Sequence, residues 1–169
     1  MLLPFLDEQA LYADYRFDEP WDGPNNSLLA ERIPEIFRCP SFVKSRAHHP
    51  RAGEVSNVMS NYVAVMEPGT VISDETPVSY LDIADGTSNA IVLIESRNHS
   101  VHWMNPVDIS TDDLIRDLSA TGDENRANHI SGIHVLLADG TVRFISRSID
   151  KVTLRRLLTH SDGEMVGGF

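Results

Sequence analysis

The sequence predicts an α+β fold with a mainly antiparallel sheet, and three observations support this prediction. Residues 133–138 and 141–145 are strand-like apolar runs on either side of Asp139-Gly140, a dipeptide typical of tight β-hairpins. Further apolar runs lie at residues 62–66 and 90–95. Turn-forming dipeptides, rather than long helical crossovers, separate most of the runs, which favours antiparallel pairing with short flanking helices.

Two short helices are predicted before the first strand. Apolar residues recur at helical spacing across residues 6–16, and two prolines with Gly23 then interrupt the pattern. Ser27 is the predicted N-cap of a second helix from residue 28 to about residue 37, which Pro34 either strains or ends early. Residues 44–57 are polar and basic, which predicts a surface loop.

Three strands are predicted in the middle of the chain, over residues 62–66, 70–72 and 90–95. The Pro68-Gly69 turn separates the first two, and the third follows Asp85-Gly86.

Two more helices are predicted in the second half. One covers residues 110–119, with Ser110 or Thr111 as its cap and acidic residues in its first turn. The other follows the hairpin and begins at Asp150. Four residues form its apolar face: Val152, Leu154, Leu157 and Leu158.

Length and charge exclude several classes of protein. The 169 residues fit a single globular domain over residues 1–169. The chain has 14 Lys and Arg against 25 Asp and Glu, a net charge of -11, which argues against binding to nucleic acid or to an anionic membrane. No apolar run approaches the roughly 18–20 residues of a transmembrane helix.

The charge is distributed unevenly along the chain. Residues 1–27 contain six acids and one base, whereas residues 126–160 contain six bases and two acids. Opposed charges of this kind suit pairing within one molecule or head-to-tail stacking between molecules. Ordinary solvated surfaces are the simpler interpretation.

The histidines and the single cysteine show no enzyme motif. His99 and His102 are three residues apart and His129 and His134 are five apart, without the fixed His and Glu spacing of a zinc enzyme. Cys39 has no base near it in the sequence, so a buried apolar role or a disulfide is favoured over a nucleophile. Surface and turn histidines are therefore expected, with no cofactor.

An acidic loop is the best candidate for an ion site. Carboxylate and amide oxygens on a turn rich in Pro and Gly suit calcium, although the spacing is not that of an EF-hand. A solvated turn that caps itself is the alternative. The residues concerned are Asp18, Glu19, Asp22, Asn25 and Asn26.

Seven segments, in order, are similar to one protein family. Residues 2–12 resemble its "LLPFLEQ..LY" segment, and the others resemble "FDEPWD.P.N", "F.CPS", "YV...GPGT", "DGTSNTI", "WMEP.D" and the His-x9-Asp-Gly pattern. The segments that match these six further patterns, in the same order, are residues 17–26, 37–41, 61–70, 85–91, 103–108 and 129–140. The family is the prepilin-like family of domains of unknown function 1559. The chain departs from its pattern at Glu67 and Ala90, where Gly and Thr are usual.

The resemblance implies a non-enzymatic, pilin- or pseudopilin-like head that acts in the periplasm or at the cell surface with other protein subunits. It also implies a longer protein, in which a prepilin-type leader and a hydrophobic helix precede this head and carry a second cysteine that would pair with Cys39. The motif residues are expected to be structural, and His129 to brace the Asp139-Gly140 turn. The motif residues are Cys39, Asp85, Gly86, Asn89, Trp103, Pro106, Asp108, His129, Asp139 and Gly140.

Two other functions stay open at this point. A ligand- or glycan-binding module would use four aromatic residues, Trp21, Tyr62, Tyr80 and Trp103, to stack on a sugar ring. A metal-dependent hydrolase would use His99, His102 or His129 together with an acid.

Overall fold

The structure is a computed structural model that describes residues 2–41, 58–73, 76–96, 101–106, 108–119, 129, 131–164, 166–167 and 169. These residues form two compact units. The first unit comprises residues 1–61 and 100–107, and the second unit comprises residues 62–99 and 108–169. The single domain expected from chain length stays a prediction. The surface loop predicted over residues 44–57 and the candidate ligand His99 lie outside the described residues.

The first unit contains short helices and one small antiparallel ladder. Its helix α1 covers Gln9–Asp14, and its strands β1 (Met59–Ser60) and β4 (Val101–His102) pair with each other. Its three 3-10 helices cover Leu3–Leu6, Asn26–Arg32 and Glu35–Phe37. The core of this unit consists of three buried leucines: Leu3, Leu11 and Leu29. Four partly buried residues pack against them: Tyr15, Phe37, Trp103 and Met104.

The first helix predicted in this unit is wrong in its bounds, and the second ends before Pro34, as one of the two alternatives for that proline predicts. The helix predicted over residues 6–16 is a 3-10 helix followed by the six-residue α1, because Asp7 has a left-handed φ of 61° that ends the first helix. The helix predicted over residues 28–37 is two 3-10 helices. Ile33 precedes Pro34 and has extended ψ, as steric contact with a following proline requires, so the helix cannot continue through it.

The second unit confirms the α+β class with an antiparallel sheet. The strands β2 (Tyr62–Val63), β3 (Ile91–Glu95), β5 (Gly132–Leu137) and β6 (Val142–Ser146) lie in the order β2-β3-β5-β6. Each neighbouring pair is antiparallel. The helices are α2 (Thr111–Ser119), α3 (Lys151–Leu158) and the 3-10 helix Tyr80–Asp82.

The two strands predicted before residue 73 are shorter than expected. Only Tyr62 and Val63 join the sheet, while Val65 and Met66 make single bridges to Ile109 and Ile72. Residues 70–72 make single bridges rather than a ladder. The one proton of the Thr70 hydroxyl can donate to the carbonyl oxygen of Glu67 (2.8 Å) or of Ile72 (2.7 Å). This competing local bond turns the chain away from a strand.

The predicted hairpin is present, with a loop one residue longer than its dipeptide suggests. Gly140 N–H donates to Leu137 O (3.0 Å) and Leu137 N–H donates to Thr141 O (2.9 Å), so Ala138 belongs to the loop. Gly140 has a φ of 83°, in the left-handed region. A turn followed by one left-handed glycine is the usual three-residue hairpin loop.

Both helices predicted in the second half are confirmed. Ser110 caps α2, because its hydroxyl accepts the Asp113 N–H (3.1 Å) and donates to the Asp113 carboxylate (2.8 Å). Asp150 caps α3 by accepting the N–H groups of Val152 and Thr153, each at 3.0 Å. The three leucines predicted on the apolar face of α3 are buried, but Val152 is 55% exposed, which corrects its assignment to that face.

Glu67 also supports α2, although a glycine is usual there in the family pattern. Its carboxylate accepts the Thr111 N–H (3.0 Å) and the Thr111 hydroxyl (2.7 Å) at the first turn of the helix. Within the ranges that the structure describes, every helix is too short or too polar to cross a lipid bilayer.

Gly140→Ala should destabilise the second unit, because a Cβ makes the left-handed conformation unfavourable by about 1 kcal/mol. Urea unfolding of the purified protein would measure the loss. Gly167→Ala is the matched control, since its Cβ would meet open space without a positive φ. Equal stability of the two variants would contradict the loop conformation.

Candidate functional site

The acidic loop of the first unit is closed by its own hydrogen bonds. Glu19 Oε1 accepts the N–H groups of Asn25 (2.9 Å) and Asn26 (2.6 Å), and Glu19 Oε2 accepts the Asn25 side-chain amide (2.8 Å). The hydrogen bond from the Asn25 side chain is the main cause that lowers the pKa of Glu19 below its ordinary value of 4.5. Both carboxylate oxygens of Glu19 therefore face N–H donors within the loop.

Asn26 lies at the centre of this loop and is fully buried, with 0% exposure. Its Oδ1 accepts the Arg16 N–H (2.9 Å), and its Nδ2 donates to the carbonyl oxygens of Arg16 (2.8 Å) and Pro20 (3.0 Å). A single side chain thus replaces the backbone partners that a helix or strand would supply.

These contacts have the form of the self-capping turn rather than of a calcium cage. Glu19 and Asn26 direct their oxygens at N–H groups, whereas Asp18 and Asp22 are exposed residues of the loop. Calcium needs six to eight oxygens turned toward one point. Calcium binding by this loop stays a prediction, and the hydrogen bonds support the alternative.

The tryptophans of the first unit are used in packing. Trp103 Nε1 donates to Ala30 O (2.8 Å), and its ring stacks on Phe37 with centroids 6.1 Å apart. Trp21 lies against the His102 ring at 4.6 Å, where burial lowers the pKa of His102. Neither indole is an exposed platform of the kind that stacks on a sugar.

The remaining residues that the sequence predicts to be functional or structural lie partly in the first unit and partly in the second. Tyr62 pairs with Glu95 in the sheet of the second unit, and Tyr80 is 74% exposed there. In the first unit, Pro106 is exposed, and buried Cys39 donates its N–H to Asn61 Oδ1 (2.8 Å). Asp108, in the second unit, is half-buried; burial raises its pKa, and the hydrogen bond from the Ala64 N–H opposes that shift.

The two Asp-Gly motifs of the second unit lie side by side. Asp139 N–H donates to Thr87 O (3.0 Å), which joins the hairpin loop to the loop that begins at Asp85-Gly86. Asn89 Nδ2 donates to Asp85 O (2.9 Å), and Gly86 has a φ of 93°. Two motifs that are 54 residues apart therefore form one connected turn structure.

Asp85 and Asp139 both accept backbone N–H groups. The Asp85 carboxylate accepts those of Asp162 (2.8 Å) and Gly163 (2.9 Å), which fixes the segment after α3. Asp139 Oδ1 accepts the N–H (2.8 Å) and the hydroxyl (2.7 Å) of Thr141. The hydroxyl contact is the main cause that lowers the pKa of Asp139 below 3.8.

His129 lies at the other end of the hairpin from Asp139. Its ring centroid is 4.6 Å from that of His134, and His134 is five residues before Asp139 along the strand, about 16 Å at the rise of roughly 3.3 Å per residue. The interpretation that His129 braces the Asp139-Gly140 turn is therefore wrong, and Thr141 bonds the turn carboxylate instead.

His129 and His134 meet at a buried carboxylate that the sequence motifs do not include. Glu95 is 2% exposed, and its Oε2 lies 3.1 Å from His134 Nδ1 and 3.4 Å from His129 Nε2. The same oxygen lies 3.3 Å from the His134 backbone N–H. We call Glu95, His129 and His134 the histidine–carboxylate cluster.

Strand pairing positions this cluster. Glu95 ends the buried strand β3, β3 pairs with β5, and His134 lies in β5 opposite Phe144. The sequence offered one signal for the site: an acidic residue that ends an apolar strand needs a partner when it is buried. That signal does not identify a partner 39 residues away.

The comparisons with known proteins place the chain in a family. A family model described as a protein of unknown function (DUF1559) matches residues 1–124 and 105–152. The chain belongs to this family. No curated protein and no solved structure gave a match. DUF1559 is the family suggested by the ordered motifs, and its match spans most of both units.

Asn26→Ala should lower the free energy of unfolding by about 2–4 kcal/mol, because it leaves several buried backbone groups without partners. Asn25→Ala, in the same loop, is the matched control; it removes one exposed contact to Glu19 and should cost much less. Chemical denaturation would compare them. Similar small losses in both variants would contradict the central role of Asn26.

Thr141→Val should raise the pKa of Asp139 toward its ordinary value of 3.8, since it removes the hydroxyl donor. The lowered pKa stabilises the fold above that value, and the contribution is lost as the pH falls through the folded-state pKa. Carboxyl-detected NMR titration would measure the pKa. Thr141→Ser should keep it low, and an unchanged pKa in Thr141→Val would contradict the assignment.

Proposed function

We propose that this DUF1559 chain is a non-enzymatic structural subunit of a pilin-like assembly, active in the periplasm or at the cell surface. The observation that carries the proposal is that the polar side chains of the family motifs form structural hydrogen bonds. Their polar side chains bond to the backbone of the chain itself, as Asn26, Asp85, Asn89 and Trp103 do. Side chains engaged in this way stabilise loops and are not directed at a substrate.

Exposed apolar side chains in the first unit supply a means of assembly. Large apolar residues left in water commonly mark contacts between proteins. Five described residues between residues 2 and 36 have apolar side chains that are more than half exposed, at 60%, 85%, 62%, 77% and 57%: Leu2, Phe5, Phe17, Leu28 and Ile36.

Charge contributes less to this proposal than the sequence suggests. Arg155 pairs with Asp112 (2.6 Å) and Arg156 with Glu164 (3.1 Å) inside the second unit, so part of the basic segment is neutralised locally. Exposed ion pairs add little stability, and salt screens them. Apolar contact is therefore the main attraction that we propose between subunits, with the acidic N-terminal segment affecting solubility and orientation.

A cross-linking experiment in the native host tests the proposal. The full-length protein, tagged at its chromosomal locus, should be recovered outside the cytoplasm and cross-linked to pilin-type subunits. The double variant Phe5→Ser with Leu28→Ser should lose most of these cross-links without a change in melting temperature, because both side chains are exposed.

Leu81→Ser is the matched control, since Leu81 is 95% exposed but lies in the second unit. It should leave the cross-links intact. Recovery in the cytoplasm, or cross-links that survive the double variant, would contradict the proposed role.

A further inference from the structure

We propose that two copies of the chain associate through β6 of the second unit, which pairs antiparallel with β6 of the other copy. Among the described residues, β6 lies at the edge of the sheet and pairs with β5 alone. A strand at a sheet edge leaves one row of backbone N–H and C=O groups unpaired, and another strand can add to it. The inference goes beyond the proposed function, which rests on the first unit and on the motif side chains, so either can fail without the other.

The hydrogen bonds at the two ends of the hairpin show which backbone groups face the open edge. Leu137 N–H donates to Thr141 O and Arg147 N–H donates to Ser131 O, each at 2.9 Å. The backbone groups of successive residues in an antiparallel strand point to opposite sides. Since the odd-numbered positions of β6 face β5, its even-numbered residues direct their N–H groups to the open edge. These residues are Val142, Phe144 and Ser146.

The composition of β6 leaves this edge accessible. Val142 is 65% exposed and Phe144 is 44% exposed, and the strand contains neither proline nor lysine, which commonly block pairing at an edge. All five residues of β6 pair with β5 without a register shift, so the edge is continuous. The strand at the other edge of the sheet, β2, has two residues. Of the two edges, β6 is therefore the one suited to pairing.

The Phe144 ring lies over β5 and not over the open edge. A Cβ at Gly132 would lie 2.8 Å from Phe144 Cζ, so the end of the ring occupies the space above this glycine. Gly132 lies in β5, opposite Ser146. The ring also contacts the His134 ring of β5, with centroids 5.2 Å apart. The backbone of Phe144 is thus left open to a second strand.

The sequence of β6 is self-complementary about Phe144, which favours a second copy as the partner. When Phe144 of one copy lies opposite Phe144 of the other, Val142 lies opposite Ser146. Arg143 then lies opposite Ile145, so that no two arginines are directly opposed. The two Phe144 side chains come together at the two-fold axis, where aromatic pairs add stability. The same surface serves both copies, which is the condition for a closed dimer.

Charge supports the same register. Arg147 of one copy lies opposite Thr141 of the other, and Thr141 holds the Asp139 carboxylate at 2.8 Å through its N–H and at 2.7 Å through its hydroxyl. Long side chains reach diagonal neighbours across paired strands, so Arg147 lies within reach of Asp139 at both ends of the pairing. The Arg143 guanidinium lies over the Phe169 ring of its own chain, 4.9 Å from the centroid. Opposite charges therefore meet at the ends of the pairing.

The size of the edge predicts a weak dimer. Stable complexes bury roughly 1,200–2,000 Å² in total, and the edge of a five-residue strand buries less. Each chain also carries a net charge of -11, so two copies repel each other. We therefore expect a reversible dimer with a dissociation constant above about 1 μM.

Sedimentation velocity of the purified full chain, from micromolar to millimolar concentration, tests the inference. We expect a monomer that shifts reversibly to a dimer. The double variant Val142→Lys with Ser146→Lys places like charges opposite each other at both ends of the pairing. It should weaken dimerisation at least about tenfold without a change in melting temperature. The double variant Val142→Lys with Ser146→Glu places opposite charges there and should keep the dimer.

Val152→Lys is the matched control, because Val152 is 55% exposed in the same unit but lies in α3. It should dimerise like the unaltered chain. The double variant Phe5→Ser with Leu28→Ser should also dimerise, since both residues lie in the first unit. This result separates a failure of the present inference from a failure of the proposed function.

Amide hydrogen exchange of the unaltered chain supplies a measurement that needs no variant. Exchange of the Phe144 N–H should slow as the protein concentration rises, because the dimer covers it. A chain that stays monomeric, with Phe144 exchange independent of concentration, would show that solvent or another protein covers the edge and would overturn the proposal. A dimer that both charged double variants keep, or that both lose, would overturn it as well.

Discussion

Hydrogen bonds from buried or turn-forming side chains to the backbone are the constraint on which this structure depends. The first unit has one six-residue α-helix and a ladder of two-residue strands among its described elements, so regular structure satisfies few of its backbone groups. Asn26 supplies the missing partners at the acidic loop, and Asn61 supplies one for Cys39. The fold of this unit follows from polar side chains as much as from its apolar core.

The second unit combines an antiparallel sheet with hydrogen bonds of the same kind, between polar side chains and the backbone. The sheet buries apolar residues of β3 and β5, and Asp85 fixes the segment after α3 through two backbone N–H groups. The one large exception to an apolar sheet interior is Glu95. Its contacts with His129 and His134 make this buried acid the most chemically distinctive point of the described chain.

Elements with strong local signals were predictable. The hairpin around Gly140 and the cap at Asp150 each depend on residues within a few positions, so the sequence alone indicates them. An early end of the second helix at Pro34 was also predictable. The division of the first helix was not, because it depends on a left-handed Asp7 that no local sequence signal indicates. The cluster at Glu95 also escaped prediction, since strand pairing joins it to partners 34 and 39 residues away.

Native-state amide hydrogen exchange tests the central claim most directly. The N–H groups of Asn26, Cys39 and Gly163 each donate to a side-chain oxygen rather than to a carbonyl oxygen within a helix or a strand ladder. If these bonds hold the loops, the three amides should exchange nearly as slowly as those of β3 and β5. Exchange at the rate of an unstructured peptide at all three positions would contradict the account.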